Sequence, residues 1–303
     1  MTSVQLTPNI HIEPLVDEIE ALLENADLFF GHSTTSAWEE AAWLVLYATD
    51  QDIGQEEFDW DVVPSKVQLA QISELIKQRI ETQKPLAYLI KEAWFAGHRF
   101  YVDERAIVPR SYFGEWIPEQ FAPWVDANKV KRALDLCTGS GCIAVALAYA
   151  FEEADVDATE LSADAVAVAQ MNVERHGLEN RVRVFEGDLF GDVEGKYDLI
   201  CSNPPYISND RMEILPAEYL REPDMAFRGG DLGLDIVDRL LRQAPDYLTD
   251  EGVLIVEVGT AALDLEDQYP NHQFTWLSTD DEAMALFLIS GSDLRQANQS
   301  LSE

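Results

Sequence analysis

The chain has 303 residues, and its 21 Lys and Arg against 56 Asp and Glu give a formal net charge of −35. That length exceeds what one core usually supports, so it predicts two domains, while 47% hydrophobic and 25% charged residues exclude a disordered or fibrous chain. The acidity argues against free nucleic acid as a partner and suits either a basic protein partner or an adaptation to salt.

Cys137, Cys142 and Cys201 form no CxxC pair, which predicts reduced thiols and no metal site. The start, Met1 to Leu6, lacks a basic region followed by an apolar segment, and the longest apolar run, Cys142 to Phe151, is about half a membrane span. A cytoplasmic protein without membrane segments is expected, and the oligomeric state stays open.

In chain order, apolar residues recur at helical spacing from Ile12 to about Gln83, predicting roughly three helices. Ser36 and Pro64 mark helix starts, and Gly54 with Glu56-Glu57 marks a loop. Between Trp94 and Val108 short β-like pieces about Gly97 predict a hairpin leading into Pro109-Arg110, where the domain junction is placed. From Lys131 strands alternate with helices: Ala133–Cys137, a helix from Gly141, Val156–Leu161, a helix through Val173, Val182–Phe185, then Tyr197–Cys201. A helix near Leu234–Tyr247, the strand Val253–Val258, a short helix and strands Phe274–Leu277 and Ala285–Ile289 complete the series. This alternation predicts an α/β fold, a seven-stranded, doubly wound, Rossmann-like sheet covered on both faces. The polar tail Gln296–Glu303 is expected to fray.

The first strand ends in Asp135-Leu136-Cys137-Thr138-Gly139-Ser140-Gly141-Cys142-Ile143-Ala144, which fits GxGxxA, with Glu160 nineteen positions after Gly141. Gly139 and Gly141 let backbone approach a ligand, and an acidic residue ending the next strand can accept two ribose hydroxyls. Asp135 is poorly placed for pyrophosphate and suits a cationic ligand, which favours S-adenosylmethionine. The absence of Gly-Lys-Ser/Thr leaves a triphosphate loop unsupported. After the third strand, Asp188 can accept from an adenine amino group while Leu189 or Phe190 covers the ring, although such an Asp alone is more often a turn residue.

Ser202-Asn203-Pro204-Pro205-Tyr206 follows the fourth strand. Pro204 and Pro205 fix φ and offer no N–H, so the turn is stiff and presents carbonyl acceptors, to which the Asn203 oxygen adds another. Such a cradle suits an NH₂ group, held with its lone pair towards a methyl donor, with Tyr206 packed on the planar substrate. A rigid surface turn is the bland reading of the same letters.

Residues 105–290 resemble the HemK-type glutamine methyltransferases in Val108-Pro109-Arg110 with Glu115, the glycine loop, Asn203-Pro204-Pro205-Tyr206-Ile207, Arg221-Glu222-Pro223, Gly229-Gly230-Asp231-Leu232-Gly233-Leu234 and Glu257-Val258-Gly259. The resemblance implies a class I methyltransferase that uses S-adenosylmethionine to methylate a glutamine side-chain amide in a protein. It implies that Thr138, Gly139, Gly141, Glu160, Asp188 and Leu189 line the cofactor, beside Asp135, and that Asn203 and Pro204 orient the glutamine. Asn203 then stands in both sets, and Asn203, Pro204 and Tyr206 form the catalytic set. Cys137 stands where Gly is commoner in the family and Glu160 where Asp is commoner. The wording of the glycine loop and of Asp267-Gln268-Tyr269-Pro270 is most like the branch acting on large-subunit ribosomal protein L-three, a basic substrate.

On this reading residues 1–93 form a helical substrate-recognition domain, 94–110 a β-hairpin linker and 111–303 the methyltransferase domain. The long segment Ile207 to Gly230 could close over the target, with Arg221 and Arg228 either contacting it or making ordinary salt bridges. Alternatives are a nucleic-acid amine methyltransferase, which should show a basic stripe, a nicotinamide oxidoreductase, which leaves the Asn-Pro-Pro-Tyr turn without a job, and a non-catalytic binding module.

Overall fold

The computed structural model describes residues 4–54, 57–279 and 284–300. Met1 to Ser3, Glu56 of the expected loop and the last three residues of the expected tail lie outside them. Four helices open the chain: α1 (Ile12–Glu24), α2 (Ala37–Ala48), α3 (Lys66–Thr82) and α4 (Leu86–Ile90). Ser36 caps α2 by accepting from the Glu39 N–H. Ser65, one residue past the expected Pro64, caps α3 in a reciprocal pairing with Gln68, which satisfies two otherwise orphaned N–H groups. These helices bury their own apolar cluster, including Ile12, Leu15, Ile19, Leu44, Ile72 and Ile76. The hairpin β1 (Ala93–Phe95) and β2 (His98–Phe100) turns at Gly97, whose φ is +78°, a left-handed value that glycine adopts at little cost.

The remaining elements are α5 (Phe113–Trp116), β3 (Arg132–Leu136), α6 (Cys142–Ala150), β4 (Asp155–Glu160), α7 (Ala163–Arg175), β5 (Val182–Glu186), β6 (Tyr197–Ser202), α8 (Asn209–Met212), α9 (Asp235–Gln243), β7 (Leu248–Glu257), α10 (Ala262–Gln268), β8 (Thr275–Leu277), β9 (Leu286–Ser290) and α11 (Gly291–Ser300). The seven-stranded sheet has the order β5-β4-β3-β6-β7-β9-β8. Strands β3 to β7 pair in parallel, and β9 runs antiparallel to β7 and β8. One apolar cluster on the sheet includes residues of α6 and the other residues of α9 and α10, which makes the strands nearly continuous apolar runs. The strand order reverses between β3 and β6, and open α/β sheets bind ligands outside the carboxyl ends of such strands.

The tail departs from its expected fraying. Gln296 to Ser300 belong to α11, which buries Leu294 and Ala297. Segment 207–230 is also structured: Ile207 and Arg228 form a parallel bridge, and short 3₁₀ turns cover Tyr219–Arg221 and Asp224–Ala226. Among the described residues no helix is long and apolar enough to cross a membrane.

The helical unit is pinned to that segment by buried charge. Arg79, 1% exposed, donates from Nε to Glu40 at 2.7 Å, from Nη1 to Glu218 at 3.1 Å and from Nη2 to the Phe29 carbonyl at 3.0 Å. Glu218 also accepts the Phe29 N–H at 2.8 Å. Glu222 takes a bidentate pair from Arg110 at 2.7 and 2.8 Å and the Val108 N–H at 2.9 Å. His32 Nε2 lies 2.8 Å from the same carboxylate, though not aligned as a hydrogen bond. Each of these three carboxylates is met by at least two donors, as burial of charge requires.

Candidate active site

A cavity of about 650 Å³ opens over the carboxyl ends of β3, β4, β5 and β6, within the size range of cofactor sites. Several segments close it, among them the linker around Ile107 to Tyr112 and the Tyr219 to Arg228 stretch. The glycine loop gives Thr138 and Gly139, the ends of β4 and β5 give Glu160, Asp188 and Leu189, the turn after β6 gives Asn203, Pro204 and Tyr206, and Gly31 with Ser33 to Thr35 reaches in from the helical unit.

The glycine loop turns sharply because Cys137, Gly139 and Gly141 all have positive φ, at +60°, +56° and +81°. A Cβ on Gly139 would meet only Ile107, 3.5 Å away, so the backbone there is open to a ligand. Gly141 is absent from the cavity wall and has a different job. It caps α6, and a Cβ there would stand 3.1 and 3.2 Å from Ala169 of α7, so it permits close helix packing. Asp135 likewise lies behind the wall. It is fully buried, its Oδ2 accepts from the Thr138 hydroxyl and the Ala144 N–H, and its Oδ1 has no partner among the described residues. Burial pushes its pKa up to about 7, against the pull of those two donors.

Glu160 accepts the Gly139 N–H and the Ser162 N–H, both at 2.9 Å, one on each oxygen. That fixes the carboxylate against the loop and leaves each oxygen a further acceptor site. Asp188 Oδ2 pairs with Arg239 of α9 at 2.7 Å, a partner the sequence reading did not foresee, and the buried Leu189 has φ +53°. These features fit S-adenosylmethionine: open backbone at Gly139, free acceptor capacity at Glu160 and Asp188, and apolar cover from Leu189 and Ile107.

The Asn203 side-chain amide has no hydrogen-bond partner among the described residues and lines the cavity with Pro204 and Pro205. Tyr206 is anchored from outside the turn. Its hydroxyl donates to Glu257 Oε1 at 2.9 Å, its carbonyl lies 2.2 Å from where a Gly233 Cβ would stand, and its ring is packed on Gly259. Glu257, at the end of β7, also accepts Ser111 Oγ and the Tyr112 N–H through Oε2, and it too lines the cavity. The sequence carried Glu257 and Glu222 only as letters of motifs, with no role; each is buried against residues from other segments.

Arg228 is held by Asp224 on the segment's own turn. Arg110 lies under the rings of Tyr219 and Phe227, at 5.2 and 5.7 Å from their centroids. The loop after β6 is thereby tied to the linker.

Comparison with known proteins agrees with this architecture. The family described as Methyltransferase small domain matches residues 119–219. A ribosomal protein uL3 glutamine methyltransferase of Burkholderia pseudomallei is 40% identical over 297 residues, 95% of this chain and 97% of that protein. Proteins of the same name from Francisella tularensis and Neisseria meningitidis are each 42% identical, covering 88% and 89% of this chain and 86% and 89% of theirs.

Proposed function

Since the chain belongs to the family of ribosomal protein uL3 glutamine methyltransferases, we propose that it methylates the side-chain amide nitrogen of a glutamine in ribosomal protein uL3. S-adenosylmethionine is the methyl donor and supplies an electrophilic methyl carbon on a sulfonium. The reaction runs in the cytoplasm, where the ribosomal substrate is found.

The observation that carries this reading is the Asn203 amide, without a hydrogen-bond partner among the described residues, on a proline-rich turn that faces the cavity. A glutamine NH₂ has two N–H donors. The Asn203 oxygen and the Pro204 carbonyl accept them, and neither proline competes with an N–H of its own. Held this way, the nitrogen presents its lone pair and gains electron density, which a delocalised amide needs. Good placement alone can lower a barrier by ~7–11 kcal/mol, and a preorganised polar group by ~3–4 more.

Thr138, Gly139, Glu160, Asp188 and Leu189 line the donor half of the cavity. Asp135 acts one step back, by holding Thr138 and the start of α6, and Gly141 by letting α6 and α7 pack. The helical unit 1–93 recognises the substrate protein across the linker 94–110, a role supported by Gly31 and Ser33 to Thr35 on the cavity wall. The net charge of −35 favours encounter with a basic ribosomal protein.

Methyl-labelled S-adenosylmethionine supplied with uL3, a release factor or bare RNA tests this. Label on one uL3 glutamine is expected, and label on RNA alone rejects the reading. Asn203→Ala should lower turnover by ~100-fold or more with a nearly unchanged cofactor dissociation constant.

A further inference from the structure

We propose that Glu257 is the positioning residue of the Asn-Pro-Pro-Tyr turn and, through the Tyr206 hydroxyl, the acceptor of the proton that the substrate nitrogen must lose. The inference rests on the amide-transfer reading above and adds a proton path to it. When the amide nitrogen attacks the methyl carbon, the C–S bond breaks with its electron pair going to sulfur, and the N–C bond forms from the nitrogen pair. The nitrogen then carries one proton too many. As the nitrogen becomes tetrahedral one N–H turns from the Pro204 carbonyl to Tyr206 Oη, which takes that proton as its own moves to Glu257 Oε1, leaving a neutral tyrosine, a neutral Glu257 and an N-methyl amide.

Three observations support this. Glu257, Tyr206 and Asn203 line one cavity, while Glu257 itself is 1% exposed. Both carboxylate oxygens receive donors only: Tyr206 Oη on Oε1, and Ser111 Oγ with the Tyr112 N–H on Oε2. That arrangement is satisfied by the ionised form, yet none of those donors carries a charge. Burial therefore outweighs the hydrogen bonds and the more distant Arg110 and pushes the pKa up to about 7, while Tyr206 is raised well above its ordinary value. Opposite Glu257 on β9 stands Leu286, which brings no charge. A carboxylate titrating near the working pH is well matched to accept a proton in a transition state.

The same carboxylate joins Ser111 and Tyr112, next to the linker, to the turn that cradles the substrate. Its protonation therefore touches both the proton path and the shape of the site. The Tyr206 anchor explains why a glutamate is needed at the end of β7 rather than an apolar residue like those before it.

The test combines a titration with kinetics. A carboxyl ¹³C NMR titration of the wild type should show a group with a midpoint near pH 7 that is absent in Glu257→Gln and displaced in Tyr206→Phe; no such group overturns the proposal whatever the activity. With uL3 as substrate, wild-type kcat should rise with pH through about 7. Glu257→Gln and Tyr206→Phe should each lose at least ~10-fold in kcat and that rising limb, with KM and cofactor dissociation constant within about twofold. A wild-type limb surviving in both variants refutes the relay. If Glu257→Gln does not fold, the more conservative Tyr206→Phe decides. A wild type that titrates as described but leaves uL3 unlabelled contradicts the function reading rather than the placement of Glu257.

Discussion

Two glutamates, Glu222 and Glu257, sit within reach of Arg110 and are both buried, yet the protein drives them in opposite directions. Burial alone would raise both. At Glu222 the Arg110 guanidinium and His32 more than offset it and hold the carboxylate at about 2. At Glu257 the donors are two hydroxyls and one backbone N–H, Arg110 is farther off, and burial carries the group up to about 7. The difference is whether a cation is in direct contact. A charge-paired carboxylate serves as a fixed fastening between helical unit, linker and loop, whereas one surrounded by neutral donors stays poised to take a proton.

The contrast is broken most sharply by removing the cation. Arg110→Met keeps most of the side-chain bulk but leaves the Glu222 carboxylate buried with only partial partners. Loss of one partner of a buried pair typically costs ~3–5 kcal/mol. Urea unfolding should show a midpoint lowered to match, with the double variant Arg110→Met, Glu222→Gln recovering part of the loss. No recovery would mean that the stacking on Tyr219 and Phe227, rather than the charge pair, was what Arg110 supplied.

Acid and alkali sharpen it next. Glu222 has a folded pKa below its unfolded value, so its contribution is complete above about pH 5 and disappears as the pH falls towards 2, a span of about 3 kcal/mol. Glu257 and Asp135 have folded pKa values above their unfolded ones, so the native state binds more protons and stability falls as the pH rises from about 4.5 to 7. Denaturation between pH 2.5 and 8 should therefore show a maximum near pH 5. Glu222→Gln should flatten the acid side, and Glu257→Gln part of the neutral side.

The sheet was legible because short, nearly continuous apolar runs alternate with period-3.6 runs from β3 to β6, and because the glycine loop and the Asn-Pro-Pro-Tyr turn fall at strand ends. The buried ion pairs were not. Glu218 lies 139 positions from Arg79, and Glu222 lies 112 from Arg110, so locally each reads as an ordinary charged residue in an acidic chain. Helix α11 was hidden for a different reason: Gly291 to Ser300 offers only Leu294 and Ala297 to the core, too few for a period to emerge. Gly141 matched a fingerprint by its spacing, but its contact with Ala169 exists only once α7 has folded back.

The smallest effect separates fastening from solvation at the site itself. Arg239 and Asp188 form an ion pair at 2.7 Å, with side chains 41% and 53% exposed. Water and salt screen such a pair, which leaves ~0.2–1 kcal/mol. If the pair merely restrains Asp188 at the cavity wall, Arg239→Ala should weaken S-adenosylmethionine binding no more than about fivefold, and added salt should erase the difference. Calorimetry at two ionic strengths reads both. A loss beyond tenfold that persists at high salt would place Arg239 in direct contact with the cofactor, and the rule that separates Glu222 from Glu257 would then extend to a third acidic residue, one whose cation is shared with the ligand.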